Sequence, residues 1–137
     1  MRRTFFLIAC LVGFSVAAVA QMTPEEKEYQ TWMKTASAMV RGLRTNVEGK
    51  NAEPAASDTQ KLVDLFAKVN GFWAAKDPNA AQVALDVQAG FKEVGTLAAA
   101  GNFTEASASI VKTQEKCSGC HDIHREKLPD GSYKFKY

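Results

Sequence analysis

The stretch KDPNAAQVALDVQAGFKEVGTLAAAGN, Lys76–Asn102, decides the architecture. Asp77-Pro78 opens it as an N-cap followed by proline in the first helical turn, where a missing amide hydrogen costs nothing. Val83, Val87, Gly90, Phe91, Val94, Leu97 and Ala98 then recur at intervals of three and four, which makes one face of a helix apolar. Gly101 stops the helix. On both sides another apolar, helix-spaced segment begins within a few residues. Connections that short fold neighbouring helices back antiparallel.

Working outward, the segment before Asp77 carries Leu62, Leu65, Phe66, Val69 and Trp73 as its stripe, with Ser57-Asp58-Thr59-Gln60 as its start signal. Before that, Thr23-Pro24-Glu25-Glu26 reads as a capping box, and Tyr29, Trp32, Met33, Ala36, Val40, Leu43 and Val47 follow at helical spacing. Gly49 closes this first helix, and the polar stretch to Ala56 reads as a loop. After Gly101, Asn102 with Glu105 three residues on starts a fourth helix. Its inner face runs through Ala106, Ile110, Val111, Gln114 and Cys117, and on past His121 to Leu128. Pro129-Asp130-Gly131 is a turn, and residues 132–137 form a polar-aromatic tail. The chain is therefore expected to be all-α, an antiparallel up-down-up-down four-helix bundle. Residues 21–137 make one domain, with 129–137 as an extra tail.

The first twenty residues read as something else. Arg2 and Arg3, the apolar run Phe5–Val16 and the small residues Ala18-Val19-Ala20 have the layout of a secretory signal peptide, cleaved before Gln21. The run Phe5–Ala20 is shorter than the roughly 18 to 20 residues of a spanning helix, so no stable membrane insertion is expected. A lipoprotein-like reading of Leu7-Ile8-Ala9-Cys10 would leave too short an apolar core for export. The expected location is therefore periplasmic. Without the signal, the 17 Lys+Arg fall to 15 and equal the 15 Asp+Glu. No basic cluster marks a nucleic-acid partner.

Export also changes the cysteine count. Of three cysteines, Cys10 leaves with the signal, and the other two sit in Cys117-Ser118-Gly119-Cys120-His121. Residues three and four apart share a helix face. Two thiols so placed can form thioethers with the vinyl groups on one edge of a porphyrin, while the adjacent imidazole reaches the iron. Cys-x-x-Cys-His is the attachment signature of c-type haem. A thioredoxin-like redox pair would sit at a helix start after a strand. A zinc site using Cys117, Cys120, His121 and His124 would have to unwind the helix to surround a metal tetrahedrally. The cofactor expected is one covalently attached haem c, held by Cys117 and Cys120, with His121 as iron ligand.

With the motif placed near the end of a fourth helix, in Cys117-Ser118-Gly119-Cys120-His121-Asp122-Ile123-His124-Arg125, the chain resembles the class II c-type cytochromes, cytochrome c-prime and its low-spin relatives. The similarity extends over most of residues 21–137, including Phe91 and Leu97-Ala98-Ala99-Ala100-Gly101. The resemblance implies a haem-proximal place for Arg125, which could pair with a propionate or donate near His121. It also implies a choice at the sixth iron position. In low-spin relatives a methionine of the first helix ligates the iron, and Trp32-Met33-Lys34 is similar to the segment that carries it. Met33 is thus the candidate ligand, and Met39 a weaker one. The alternative is that Met33 is a core residue. His124, on the same helix as His121, cannot reach the opposite porphyrin face and is expected to be partly exposed. Trp32, Phe66, Trp73 and Phe91 are expected to be haem-pocket or core aromatics.

The leading expectation is a periplasmic one-electron carrier working with redox partner proteins. The second is a five-coordinate haem protein binding NO or CO. The third is a haem-free Cys-x-x-Cys redox or metal protein. No Ser/His/Asp grouping or carboxylate pair stands out, so enzymatic turnover is not expected. Several members of the family pair through their first two helices, so the resemblance also implies a homodimer as a partner arrangement.

Overall fold

The computed structural model describes residues 22–137; the signal peptide read over 1–20 and the cleavage before Gln21 lie outside them. Four helices follow in chain order: α1 (Pro24–Glu48), α2 (Ala52–Ala74), α3 (Pro78–Ala99) and α4 (Phe103–His124). The connectors are three residues each, 49–51, 75–77 and 100–102. Chain-consecutive helices pack side by side in an all-α four-helix bundle. Among the described residues no helix is long and apolar enough to cross a membrane.

The helix starts differ in how they are capped. Thr23 and Glu26 form the reciprocal capping box expected, with Glu26 N donating to Thr23 Oγ1 at 3.2 Å and Thr23 N to Glu26 Oε2 at 2.7 Å. Asp77 Oδ1 accepts from the amides of Asn79 and Ala80. Asn102 and Asn51, by contrast, make no side-chain cap. The second helix begins at Ala52, five residues before the Ser57 start read from the sequence. The polar stretch thought to be a loop is helical because Ala55 and Thr59 bury there. Burial overrides a start signal that is only local.

Both connectors flanking the middle of the chain close with paired backbone bonds. After α3, Gly101 at φ +79° lets Gly101 N reach Ala98 O and Asn102 N reach Leu97 O. After α1 the same motif is displaced by one residue from the expected glycine. Gly49 keeps a right-handed conformation, and Lys50 takes φ +57° while its amide bonds Val47 O.

The core is built from the stripes, with one rotation. Leu62, Phe66, Val69, Trp73, Val87, Phe91, Val94 and Ile110 are all buried. On α4 the inner face runs through Ala106, Ser109, Ile110 and Thr113, so Val111, read as inner, is 48 % exposed. The reason is a close approach of α3 and α4. A Cβ on Gly90 would lie 2.2 Å from Thr113 Oγ1, and Ser109 Oγ donates to Glu93 at 3.2 Å. Small polar residues permit that approach; a valine in the seam would not.

The chain end also differs from the sequence reading. Helix α4 stops at His124 rather than Leu128, and Arg125–Lys127 (β1) pairs antiparallel with Tyr133–Phe135 (β2) around the 129–131 turn. The tail folds back onto the bundle: Phe135 packs against Tyr29, Phe72 and Trp73 at ring-centroid distances of 5.2, 5.7 and 6.4 Å. Aromatic rings at alternate positions of a short strand supply the apolar contact that a three-residue strand pair lacks by itself.

Candidate functional site

Helices α1 and α4 touch far less closely than the consecutive pairs do. The seam between them opens into a cavity of about 370 Å³ that residues of all four helices line. From α1 come Met33, Ala36, Ser37, Val40, Arg41 and Arg44, whose alternating spacing of three and one traces a single helix face. From α4 come Gln114, Cys117, Ser118, Cys120 and His121. The floor is apolar: Phe66 and Val69 of α2, and Ala80, Val83, Ala84 and Val87 of α3. Alanines where larger residues would meet across the bundle are what leave the space. A second cavity of about 690 Å³ lies alongside, between α1 and the C-terminal hairpin, and shares Tyr29, Met33, Ser37, Arg41, Cys120 and His121 with the first.

Four of the five residues that sequence reading singled out for the cofactor therefore line one space: Cys117, Cys120 and His121 from α4 and Met33 from α1, without Arg125. Met39 lines neither cavity; it is partly buried against the core. Arg125 is the C-cap of α4 and borders the second cavity, but its guanidinium lies over the Tyr133 ring at 4.1 Å. Of the aromatics, Phe66 lines the first cavity and Trp73 the second, while Phe91 is wholly buried in the core. Trp32 packs at the edge of the core with Lys68 over its ring.

The electrostatics disfavour a dithiol redox pair and leave His121 free to ligate. Both thiols are free. Burial pushes the Cys117 thiol up to about 11, with the neighbouring Cys120 adding to the effect. Burial and the Asp77 carboxylate push Cys120 the same way. Both stay protonated at neutral pH, whereas a redox-active pair needs a depressed thiol pKa. Burial and the Arg125 charge hold His121 below the usual histidine range, so its imidazole is neutral and has a lone pair to give. Among the described residues no three His, Cys, Asp or Glu side chains converge as a metal-ligand set. His124, the fourth residue of the zinc alternative, is engaged elsewhere. Contrary to the expected partial exposure, it is buried: Nδ1 meets Lys136 O at 3.0 Å, Nε2 faces Asp77 Oδ2 at 3.6 Å, and the ring lies 4.6 Å from Trp73.

These residues fit a covalently held haem. Thiols three residues apart, a neutral imidazole and apolar walls from three helices match the vinyl edge, the iron and the ring faces. The charged residues lining the two cavities are Lys34, Arg41, Arg44, Arg125 and Lys134, with no Asp or Glu among them. A lining of that sign suits the two carboxylates of the porphyrin. Sequence reading missed Arg41, Arg44 and the hairpin. Their signal was faint: Arg41 and Arg44 lie three residues apart, each next to a residue of the apolar stripe of α1 (Val40, Leu43), and a charge beside a stripe reads from periodicity alone as solvated.

No protein-family model, no curated protein and no solved structure matches this chain.

Proposed function

We propose that this chain is an exported, periplasmic c-type cytochrome of the class II kind, carrying one haem c and passing single electrons between redox partner proteins. One observation carries the reading: Cys117, Cys120 and His121 on α4 and Met33 on α1 border the same cavity, whose floor is apolar and whose charged lining residues, Arg41 and Arg44, are both basic.

Each residue has a definite task. Cys117 and Cys120 would hold the haem through thioethers, each S–H adding across a vinyl double bond, sulfur to one carbon and hydrogen to the other, so that no oxidant would be consumed. Thr113 O, 3.5 Å from Cys117 Sγ, holds that thiol in place beforehand. His121 would give its lone pair to the iron, and Met33 would offer its thioether from the facing helix. Val83, Ala84 and Val87 line the cavity floor and would exclude water from a bound ring. A haem bound here supplies an iron that alternates between ferrous and ferric states, at a potential that a His/Met ligand pair raises.

The test is an optical spectrum of the protein produced with cytochrome c maturation. A Soret band that survives acid-acetone extraction, with low-spin bands that Met33→Ala converts to high spin, is the expected result. A high-spin spectrum in the unaltered protein that shifts on adding CO would move the function to gas binding. No Soret band would leave the haem-free alternative.

A further inference from the structure

We infer that the C-terminal hairpin is a strap that positions the Met33 turn of α1 across the cavity from His121, with Phe135 as its principal positioning residue. The inference rests on the haem reading above and goes beyond it, because neither the motif nor the bundle assigns the hairpin a role.

The need for a strap follows from the seam. Helix α1 is covalently and sterically tied to α2, but its packing against α4 is sparse. Among the described residues, the side-chain hydrogen bond that crosses from α1 to α4 is Arg44 to Gln114 Oε1. It lies three turns beyond Met33. On the other side of Met33 the hairpin supplies the tie. Gln30 Nε2 donates to Tyr133 O at 3.4 Å, and Tyr137 Oη–H donates to Glu26 Oε1 at 2.6 Å. The Phe135 ring stands edge-on to Tyr29 at 5.2 Å. Glu26, Tyr29 and Gln30 occupy the two turns immediately before Met33, and Tyr29 is its i−4 neighbour on the same face.

The strap is itself anchored to α4 and to the α2–α3 corner. Lys136 N donates to His124 O, and Lys136 O meets His124 Nδ1, both at 3.0 Å. His124 in turn faces Asp77, the N-cap of α3, and packs at a tilt against Trp73, whose indole N–H donates to Tyr29 Oη at 3.1 Å. A continuous set of contacts thus runs from the last turn of α4, through the hairpin, to the turn of α1 that carries the sulfur. Removing the Phe135 ring frees α1 at that turn without touching Cys117, Cys120, His121 or Met33.

The experiment compares the haem-loaded full chain with Phe135→Ala, Phe135→Leu and Tyr137→Phe. Amide exchange over residues 29–36 should be roughly tenfold faster in Phe135→Ala, in haem-loaded and haem-free protein alike, with α3 and the first half of α2, away from Phe72 and Trp73, unchanged. A high-spin fraction should appear, and CO should bind about fivefold faster or more, because a loosened Met33 leaves the iron open for more of the time. Phe135→Leu should largely restore the spectrum, and Tyr137→Phe, which removes only the outer tie, should shift it in the same direction by less. Unchanged exchange at 29–36 together with an unchanged CO rate in Phe135→Ala overturns the strap. Exchange that rises equally in all helices also overturns it, since the ring would then serve general stability. A protein without a Soret band defeats the haem reading instead; local exchange in the haem-free chain still decides the strap.

Discussion

Replacing Gly90 with alanine separates local helix preference from tertiary packing by the sign of its effect. Within an isolated helix, Gly→Ala is favourable by about 0.8 to 1.0 kcal/mol. In the folded chain the new Cβ would lie 2.2 Å from Thr113 Oγ1, 3.0 Å from its Cγ2 and 3.1 Å from its Cβ. Thr113 is only 2 % exposed, and its hydroxyl donates to Ser109 O at 2.8 Å, so it cannot swing away without cost. Overpacking of this kind costs roughly 1 to 3 kcal/mol, and a lost buried hydrogen bond adds about 0.5 to 1.5 kcal/mol. Set against the propensity gain, the expected net effect is a destabilisation of about 1 to 3 kcal/mol. Urea unfolding followed by circular dichroism measures it directly, with an unchanged m-value as the sign that both states keep their extent. Thr113→Ala in the Gly90→Ala background removes both the hydroxyl and the methyl that the new Cβ meets and should recover part of the loss, giving a coupling energy of about 1 kcal/mol in the double-mutant cycle. A Gly90→Ala protein more stable than its parent would refute the α3–α4 register, and with it the placement of Cys117, one turn beyond Thr113.

Two further outcomes follow from particular residues. Lys50→Gly should stabilise the chain by roughly 0.5 to 1 kcal/mol in the same unfolding assay, because Lys50 sits at φ +57° where a side chain is strained; a loss of stability would mean that the α1 connector does not close as described. In the haem-free protein, thiolate absorbance should report Cys117 titrating near pH 11. Since that folded value lies above the ordinary thiol pKa of about 8.5, the buried neutral thiol contributes stability that is complete below the ordinary value. That stability is lost as pH rises through the folded one. A titration midpoint below the ordinary value would contradict its burial and favour a dithiol redox role.

How much was legible beforehand differs from element to element. The stripes of α1, α2 and α3, the capping box at Thr23–Glu26 and the Asp77 cap were readable because each is set by residues within a turn or two of one another. The start of α2 at Ala52 was not, since Ala55 and Thr59 become inner only when α1 and α3 lie beside them. The same holds for α4: Val111 carries the stronger apolar signal, yet Ser109 and Thr113 face inward because Gly90 lets the helices close to that distance. His124 read as a surface residue until the hairpin brought Lys136 and Trp73 against it.

The Cys117-to-His121 motif and the four helical periods belong to the sequence alone, since spacing along a chain fixes which side chains share a helix face. That Met33 borders the same cavity as those three residues, that the charged lining is entirely basic, and that the last residues strap α1 to α4 were decided only by tertiary structure. Each depends on which faces of separate helices meet. No local period encodes that pairing; it comes from burying the aromatic and aliphatic side chains of four helices and one short hairpin together.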